Sequence, residues 1–165
     1  MDCTRLDDLE PMFDDLNLPD RAALIAVEEE FKRYLLTQRV SIAGIPVQID
    51  PYNEWDDELG LSLNADFLHV VTRRNEAKRR VVVPERINRA HWIATIIPRI
   101  QCPKIQYFRH KESDGSIRDY IHFEEKGHVI VLENYHSHYR LITSFSIDDD
   151  SYRRNILRKY KNRIK

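Results

Sequence analysis

The sequence predicts an α+β fold, and three observations carry that reading. A capped helical period near the N-terminus is followed by short β-rich runs, a second helical stretch precedes strands at hairpin spacing, and a capped basic helix comes last. Strands grouped together, rather than alternating with helices, favour an antiparallel sheet over a parallel α/β one. The expected architecture is a helix packed on an antiparallel sheet of about four to five strands. A helical and β extension precedes it.

From Asp2 to Asn17, acidic residues interleave with Leu6, Leu9, Met12, Phe13 and Leu16 at spacings of three or four, which suggests a short amphipathic helix. Pro19-Asp20-Arg21 is a helix start, and Leu24, Val27, Phe31 and Leu35 continue the period through Thr37. Arg39–Asp50 reads as β, with Gly44 and Pro46 forcing a turn or bulge. Pro51–Gly60 reads as a charged loop around Trp55 and as the boundary between an acidic extension, 1–60, and a basic domain, 61–165.

Phe67–Thr72 and Val81–Val83 are β-rich runs joined by a loop dense in positive charge. Pro84-Glu85 opens a helix through about Ile100, with Ile87, Ala90, Trp92, Ile93, Ile96 and Ile97 on its apolar face. Strands are then expected at Lys104–His110, Ile117–Phe123, His128–Glu133 and Tyr139–Ile147, and Asp148–Asp150 caps a helix over Tyr152–Ile164.

The composition narrows the function classes. No run reaches the roughly 18 apolar residues of a membrane span, and the acidic start is unlike a signal peptide, so a cytoplasmic protein without a membrane partner is expected. Cys3 and Cys102 lack metal or redox spacing and are expected to be reduced thiols. Four glycines and no Gly-rich phosphate loop disfavour a nucleotide cofactor, and none is expected.

A net charge of −1 conceals a split. Residues 1–60 hold 5 Lys/Arg against 15 Asp/Glu, a net −10, whereas residues 61–165 hold 21 against 12, a net +9. Arg73, Arg74, Lys78, Arg79, Arg80, Arg86, Arg89 and Arg99 put eight cations into 27 residues, a density that points to a polyanion. Arg86 and Arg89, one helical turn apart, are expected to face the same way. Arg153, Arg154, Arg158, Lys159, Lys161, Arg163 and Lys165 form a second basic run.

Seven histidines supply groups that take and return a proton near neutral pH. His69, inside a β-like run just before Thr72 and Arg73-Arg74, is the first candidate for a base beside phosphate-binding groups, and His91 is the second. His136-Ser137-His138 and Asp119 with Glu124-Glu125-Lys126 lack compelling metal-site spacing, so no metal is expected. Thr143, on the strand Leu141–Phe145, carries a hydroxyl able to donate to a phosphate.

Three pieces in this order carry a resemblance: Phe67–Arg73; Arg86, Arg89, Trp92-Ile93 and Ile96-Ile97; and Tyr139–Phe145 followed by Arg158-Lys159-Tyr160. Together they resemble the phage-related, toxin-like branch of the barnase, EndoU, colicin and RelE nuclease superfamily, over about residues 61–165. The resemblance implies a small ribonuclease that needs no metal. It implies His69 as general acid or base, Arg86 and Arg89 on the scissile phosphate and Thr143 in support, with Tyr139 and Tyr160 as further members. RNA would lie along Arg73, Arg74, Arg79, Arg80, Arg99, Arg158 and Lys159, and an antitoxin or immunity protein is an implied partner.

Two other classes fit the same residues. One is a module that binds nucleic acid without cutting it, and the other is an interaction protein that docks an acidic partner. Charge complementarity further predicts that residues 1–20 and 51–60 lie partly over the basic groove.

Overall fold

The computed structural model describes residues 2–37 and 40–165. After a short 3-10 turn, Thr4–Leu6, the first helix is α1, Arg21–Lys32, continued by a π-helical stretch over Arg33–Thr37. Asp20 caps α1 as its sequence position suggests, accepting from the Ala23 amide at 2.8 Å. The amphipathic helix expected over Asp2–Asn17 does not form. Asp2 and Asp14 instead accept from amides two residues on, at Thr4 and Leu16, and hold the segment in turns while Leu6 and Leu9 are still buried.

Two strands follow, β1, Ser41–Ile42, and β2, Ile45–Gln48; Arg39, where the sequence reading begins this β segment, lies outside the described residues. Ala43 and Gly44 both have positive φ, as a two-residue primed hairpin requires. The acidic stretch read as a loop is a second hairpin, β3, Asn53–Asp56, with β4, Leu61–Asn64. Leu61 and Leu63 alternate inward from β4 and anchor it.

The run expected to be a strand at Phe67–Thr72 is a helix, α2, Ala65–Val71. Asn64 caps it by accepting from the amides of Asp66 and Phe67, and burial of Phe67, Leu68, Val70 and Val71 on every side outweighs the β propensity of the two valines. A hairpin of β5, Thr72–Arg74, and β6, Arg80–Val82, comes next. The single helix expected from Pro84 to Ile100 is three pieces: α3, Pro84–Asn88; α4, Trp92–Ile96; and a 3-10 turn, Ile97–Arg99. Arg89 leaves the helical region at φ −113°, ψ 8°, so Arg86 and Arg89 do not share a helix face.

The meander is as expected: β7, Ile105–Lys111; β8, Ile117–Phe123; β9, His128–Asn134; and β10, Tyr139–Ser146, followed by α5, Asp150–Lys161, capped by Asp149. The sheet has six strands in the order β1-β2-β10-β9-β8-β7 and is mixed, because β2 runs parallel to β10. Residues 1–60 therefore supply two strands of the main sheet, and Leu6, Leu24, Phe31 and Val47 join the same core as Phe67, Ile87, Ile130 and Leu132. Val129 and Val131 point to the opposite face, where they pack with Phe108, Tyr120 and Ile156 of α5.

Cys3 and Cys102 are bonded to each other, which corrects the expectation of two free thiols; their Cα atoms lie 5.9 Å apart across 99 residues of sequence. Among the described residues no helix is long and apolar enough to cross a membrane.

Candidate functional site

A buried network sets the position of α2. Glu28 of α1 accepts from the Asn64 amide at 2.8 Å, the Asn64 side-chain amide donates to the Asp50 carbonyl at 2.7 Å, and Asp66 accepts from the Asp50 amide at 2.6 Å. With α2 fixed between α1, β4 and β10, His69 is presented at its C-terminal end toward β5 and β6. There His69, Thr72, Arg73, Arg74, Arg80, Arg86 and Thr143 line one hollow of about 230 Å³, which contains no carboxylate.

Each member is held by identifiable contacts. An Arg80 Nη atom lies 3.1 Å from His69 Nδ1. A guanidinium only donates, so Nδ1 accepts and the imidazole proton sits on Nε2. Burial, reinforced by the Arg80 charge, holds the His69 pKa below its ordinary value and keeps the ring neutral at pH 7. Arg86 is anchored by donating to the Thr72 carbonyl at 2.9 Å and the Val70 carbonyl at 3.4 Å, with its guanidinium 5.8 Å from the Phe145 ring centroid. The Thr72 hydroxyl donates to the Leu68 carbonyl and closes the end of α2.

Thr143 reaches the hollow through an irregularity in β10. The register with β9 shifts between Leu141 and Thr143, leaving Leu141 and Ser144 buried and the two residues between them partly exposed. This β-bulge breaks the strict alternation of a regular strand.

Two further hollows adjoin the first. One, of about 550 Å³, shares Arg73, Arg74 and Arg86 with it and adds Glu76, Glu85, Asp148, Phe145 and Tyr152. The other, of about 360 Å³, shares His69 and Arg80 and adds Asp50, Glu54, Asp66, Arg140 and the tyrosines Tyr52 and Tyr135. Both hollows are lined by carboxylates as well as arginines, and in the second they are paired: Arg80 lies 3.6 Å from Glu54, and Arg140 lies 3.1 Å from Asp50. Burial raises the pKa of Asp66 and, aided by the nearby charge of Asp148, that of Glu85.

Several candidates named from sequence are placed elsewhere. Arg89 forms a two-pronged ion pair with Asp15, at 2.8 and 3.0 Å, and Arg99 donates to the Asp2 carbonyl at 2.7 Å. Lys159 bonds Glu112 at 2.7 Å and the Tyr120 hydroxyl at 2.6 Å, on the α5 side of the sheet. Tyr139 is buried in the main core, and Tyr160 packs its ring edge on Phe108. Arg79 is exposed at the β5–β6 turn, and Arg158 lines a surface hollow with Tyr152 and Arg154 on α5.

Of the other histidines, none lines the three hollows, although His138 borders one of them through Tyr135. His91 packs beside Trp92, and burial lowers its pKa. His138 stacks on Tyr135 at 5.5 Å, and Asp119 is wholly buried, accepting from the Tyr107 hydroxyl. Among the described residues no group of three or more His, Cys, Asp or Glu side chains is arranged to hold a metal ion. Tyr52, Tyr135, Tyr152 and Arg140 were not singled out from the sequence. Isolated polar aromatics in loops and at a helix start carry no spacing signal there.

The cleft can therefore do two things chemically. Its centre can hold one phosphate-like anion among four guanidinium groups, and it can set a neutral imidazole against that anion. No protein-family model matches the chain, and no curated protein or solved structure matches it.

Proposed function

We propose that the chain is a metal-independent endoribonuclease that works at this cleft and cleaves RNA through attack of the RNA's own 2′-hydroxyl. The observation that carries the reading is an imidazole, His69, set among Arg73, Arg74, Arg80, Arg86 and Thr143 in a hollow lined by no carboxylate. In this reading the meander with α2 and α3 corresponds to the barnase- and RelE-like arrangement that the sequence resembles.

The chemistry follows from competition for Arg80. A bound phosphodiester anion attracts the Arg80 guanidinium more strongly than a neutral imidazole does, so Arg80 turns to the phosphate and releases the Nδ1 lone pair. The 2′-oxygen then bonds to phosphorus while its proton passes to His69. The P–O5′ bond breaks, the departing 5′-oxygen takes a proton from water, and the hydroxide so formed takes the proton back from His69. The products end in a 2′,3′-cyclic phosphate and a 5′-hydroxyl. Arg73, Arg74 and Arg86 oppose the charge that builds on the phosphorane oxygens, and the Thr143 hydroxyl donates to one of them. The phosphate's negative charge also lifts the depressed pKa of His69 toward neutrality, where a base is most effective.

Incubating the purified protein with 5′-labelled RNA in EDTA is expected to give fragments ending in cyclic phosphate. His69→Ala is expected to slow the reaction by about 10²–10⁴-fold. RNA left intact by the wild-type protein, or cleavage abolished by EDTA, overturns the reading. Intact RNA that is nevertheless bound in a salt-sensitive way assigns the chain to binding without turnover, for which the four arginines suffice.

A further inference from the structure

The charge layout of the three linked hollows is not that of a long polyanion track. Only the central one lacks carboxylates; the two flanking it balance arginines with Glu76, Glu85 and Asp148 on one side and with Asp50, Glu54 and Asp66 on the other. A second or third phosphate placed in either flank meets carboxylates at close range, which costs much of what the arginines supply. A neutral planar group bearing both donors and acceptors meets the reverse situation. Carboxylates accept from its N–H groups and guanidinium groups donate to its carbonyl and ring nitrogens.

The flanks also carry the aromatics such a group stacks on. Tyr152, 49% exposed, lies next to Phe145 at one end, their ring centroids 5.8 Å apart. Tyr52 and Tyr135, 58% and 46% exposed, stand at the other end. The Tyr52 and Tyr135 hydroxyls are tied to Asp50 at 3.1 Å and to Glu133 at 2.9 Å, which restrains the rings from the rim. Both flanking hollows are larger than the central one.

We infer that the cleft recognises one dinucleotide step of unpaired RNA, a single phosphodiester in the central hollow with one base in each flank, stacked on Tyr152 and Phe145 at one end and on Tyr52 and Tyr135 at the other. This rests on the ribonuclease reading for its chemistry and adds what the site measures off. The recognised unit is two nucleosides long, both bases are out of a duplex, and affinity comes from stacking more than from counterion release.

The step is tested with dinucleoside monophosphates. Wild-type protein is expected to cleave them with kcat/KM within about tenfold of that for a ten-nucleotide single strand. Duplex RNA is expected to resist, because paired bases cannot enter the flanks. Tyr152→Leu and Tyr135→Leu are each expected to lower kcat/KM on the dinucleotide by roughly five- to hundredfold, the value of one stacked base, while leaving inorganic phosphate binding unchanged. The logarithmic salt slope of binding is expected near −0.7, the value for about one neutralised phosphate on a single strand.

If ten-nucleotide RNA is cut and dinucleotides are cut more than a thousandfold less well, the dinucleotide inference is overturned and the ribonuclease reading stands. If nothing is cut, the uncleavable 2′-deoxy dinucleotide decides by calorimetry. Binding lost on Tyr152→Leu and Tyr135→Leu supports the inference without the reaction, and no binding to the wild-type protein overturns it.

Discussion

Two sets of cations in this molecule look alike in the sequence and differ in what surrounds them. Arg89, Arg99, Lys104 and Lys126 all bond to the N-terminal segment, through Asp15, the Asp2 carbonyl, Asp7 and Glu10 respectively. Arg73, Arg74 and Arg86 have no ion-pair partner among the described residues, and Arg80 lies 3.6 Å from Glu54 but also donates to His69. The acidic strap and the basic half are thus largely complementary at one face and, of the cleft's own cations, leave Arg73, Arg74 and Arg86 without an ion pair among the described residues. A density of positive charge identifies neither set; the location of the carboxylates separates them.

The largest effect that would break this comparison is loss of the strap's anchor. Cys3→Ser removes a link that closes 99 residues of chain, and it is expected to cost about 2–5 kcal/mol in urea unfolding. Leu6 and Leu9 remain to hold the segment. Cleavage at 25 °C is expected to persist in the folded fraction, because Cys3 is not among the residues that line the central hollow. Two free thiols per chain in unreduced native protein, counted by alkylation and mass, would remove the link from the account.

Arg86 and Arg89, three residues apart, sharpen it further. Arg86→Ala is expected to weaken RNA binding by about 10- to 100-fold, the loss of a charge-assisted contact. Arg89→Ala is expected to leave that binding within twofold and to cost about 1–3 kcal/mol of stability, since Asp15 loses its two-pronged partner and the packing of Arg89 over the Trp92 ring goes with it. Equal losses of RNA binding in the two variants would mean that the strap does not separate the faces.

What the sequence made legible divides along the same line. Local signals carry through to the structure: the Asp20 cap and the hairpin-spaced strands of the meander each depend on neighbours in the chain. Non-local determinants were not legible. The pairing of β2 with β10, the disulfide and the partners of Arg89, Arg99 and Lys159, which lie 74, 97 and 47 residues away, leave no mark in spacing. α2 was misread because β-branched residues usually favour strands, whereas here the Asn64 cap and all-round burial decide. His69, Arg86 and Thr143 were named from sequence and line one hollow, yet the bulge that brings Thr143 there and the break that turns Arg89 away came only with the structure.

The strapped face also carries a pH sensitivity that the cleft does not need. His128 is fully enclosed against Trp92, with Nε2 2.7 Å from the Ser144 hydroxyl, and burial pushes its pKa down to about 3. Its unfolded value is near 6.5, so below that pH the unfolded chain binds a proton that the native chain refuses. Stability is full above pH 6.5 and is expected to fall by about 1.4 kcal/mol per pH unit on acidification toward 3. His128→Gln is expected to flatten this slope in urea midpoints measured between pH 6.5 and 5. An unchanged slope would assign it to other groups, since burial also depresses His69, His91 and His122.

The smallest effect tests the strap as a mask. Asp15→Asn keeps the Asn88 contact and removes the charge opposite Arg89, and an ion pair with a half-exposed carboxylate is worth only about 0.2–1 kcal/mol. If the strap merely completes the fold, RNA affinity at about 0.15 M salt stays unchanged, because Asp15 is held by Arg89 and lines none of the three hollows. If affinity rises severalfold and the salt slope steepens, the freed Arg89 is taking up a phosphate of its own. The binding surface would then run from the central hollow under the strap, and the single-phosphate layout would describe only the closed state.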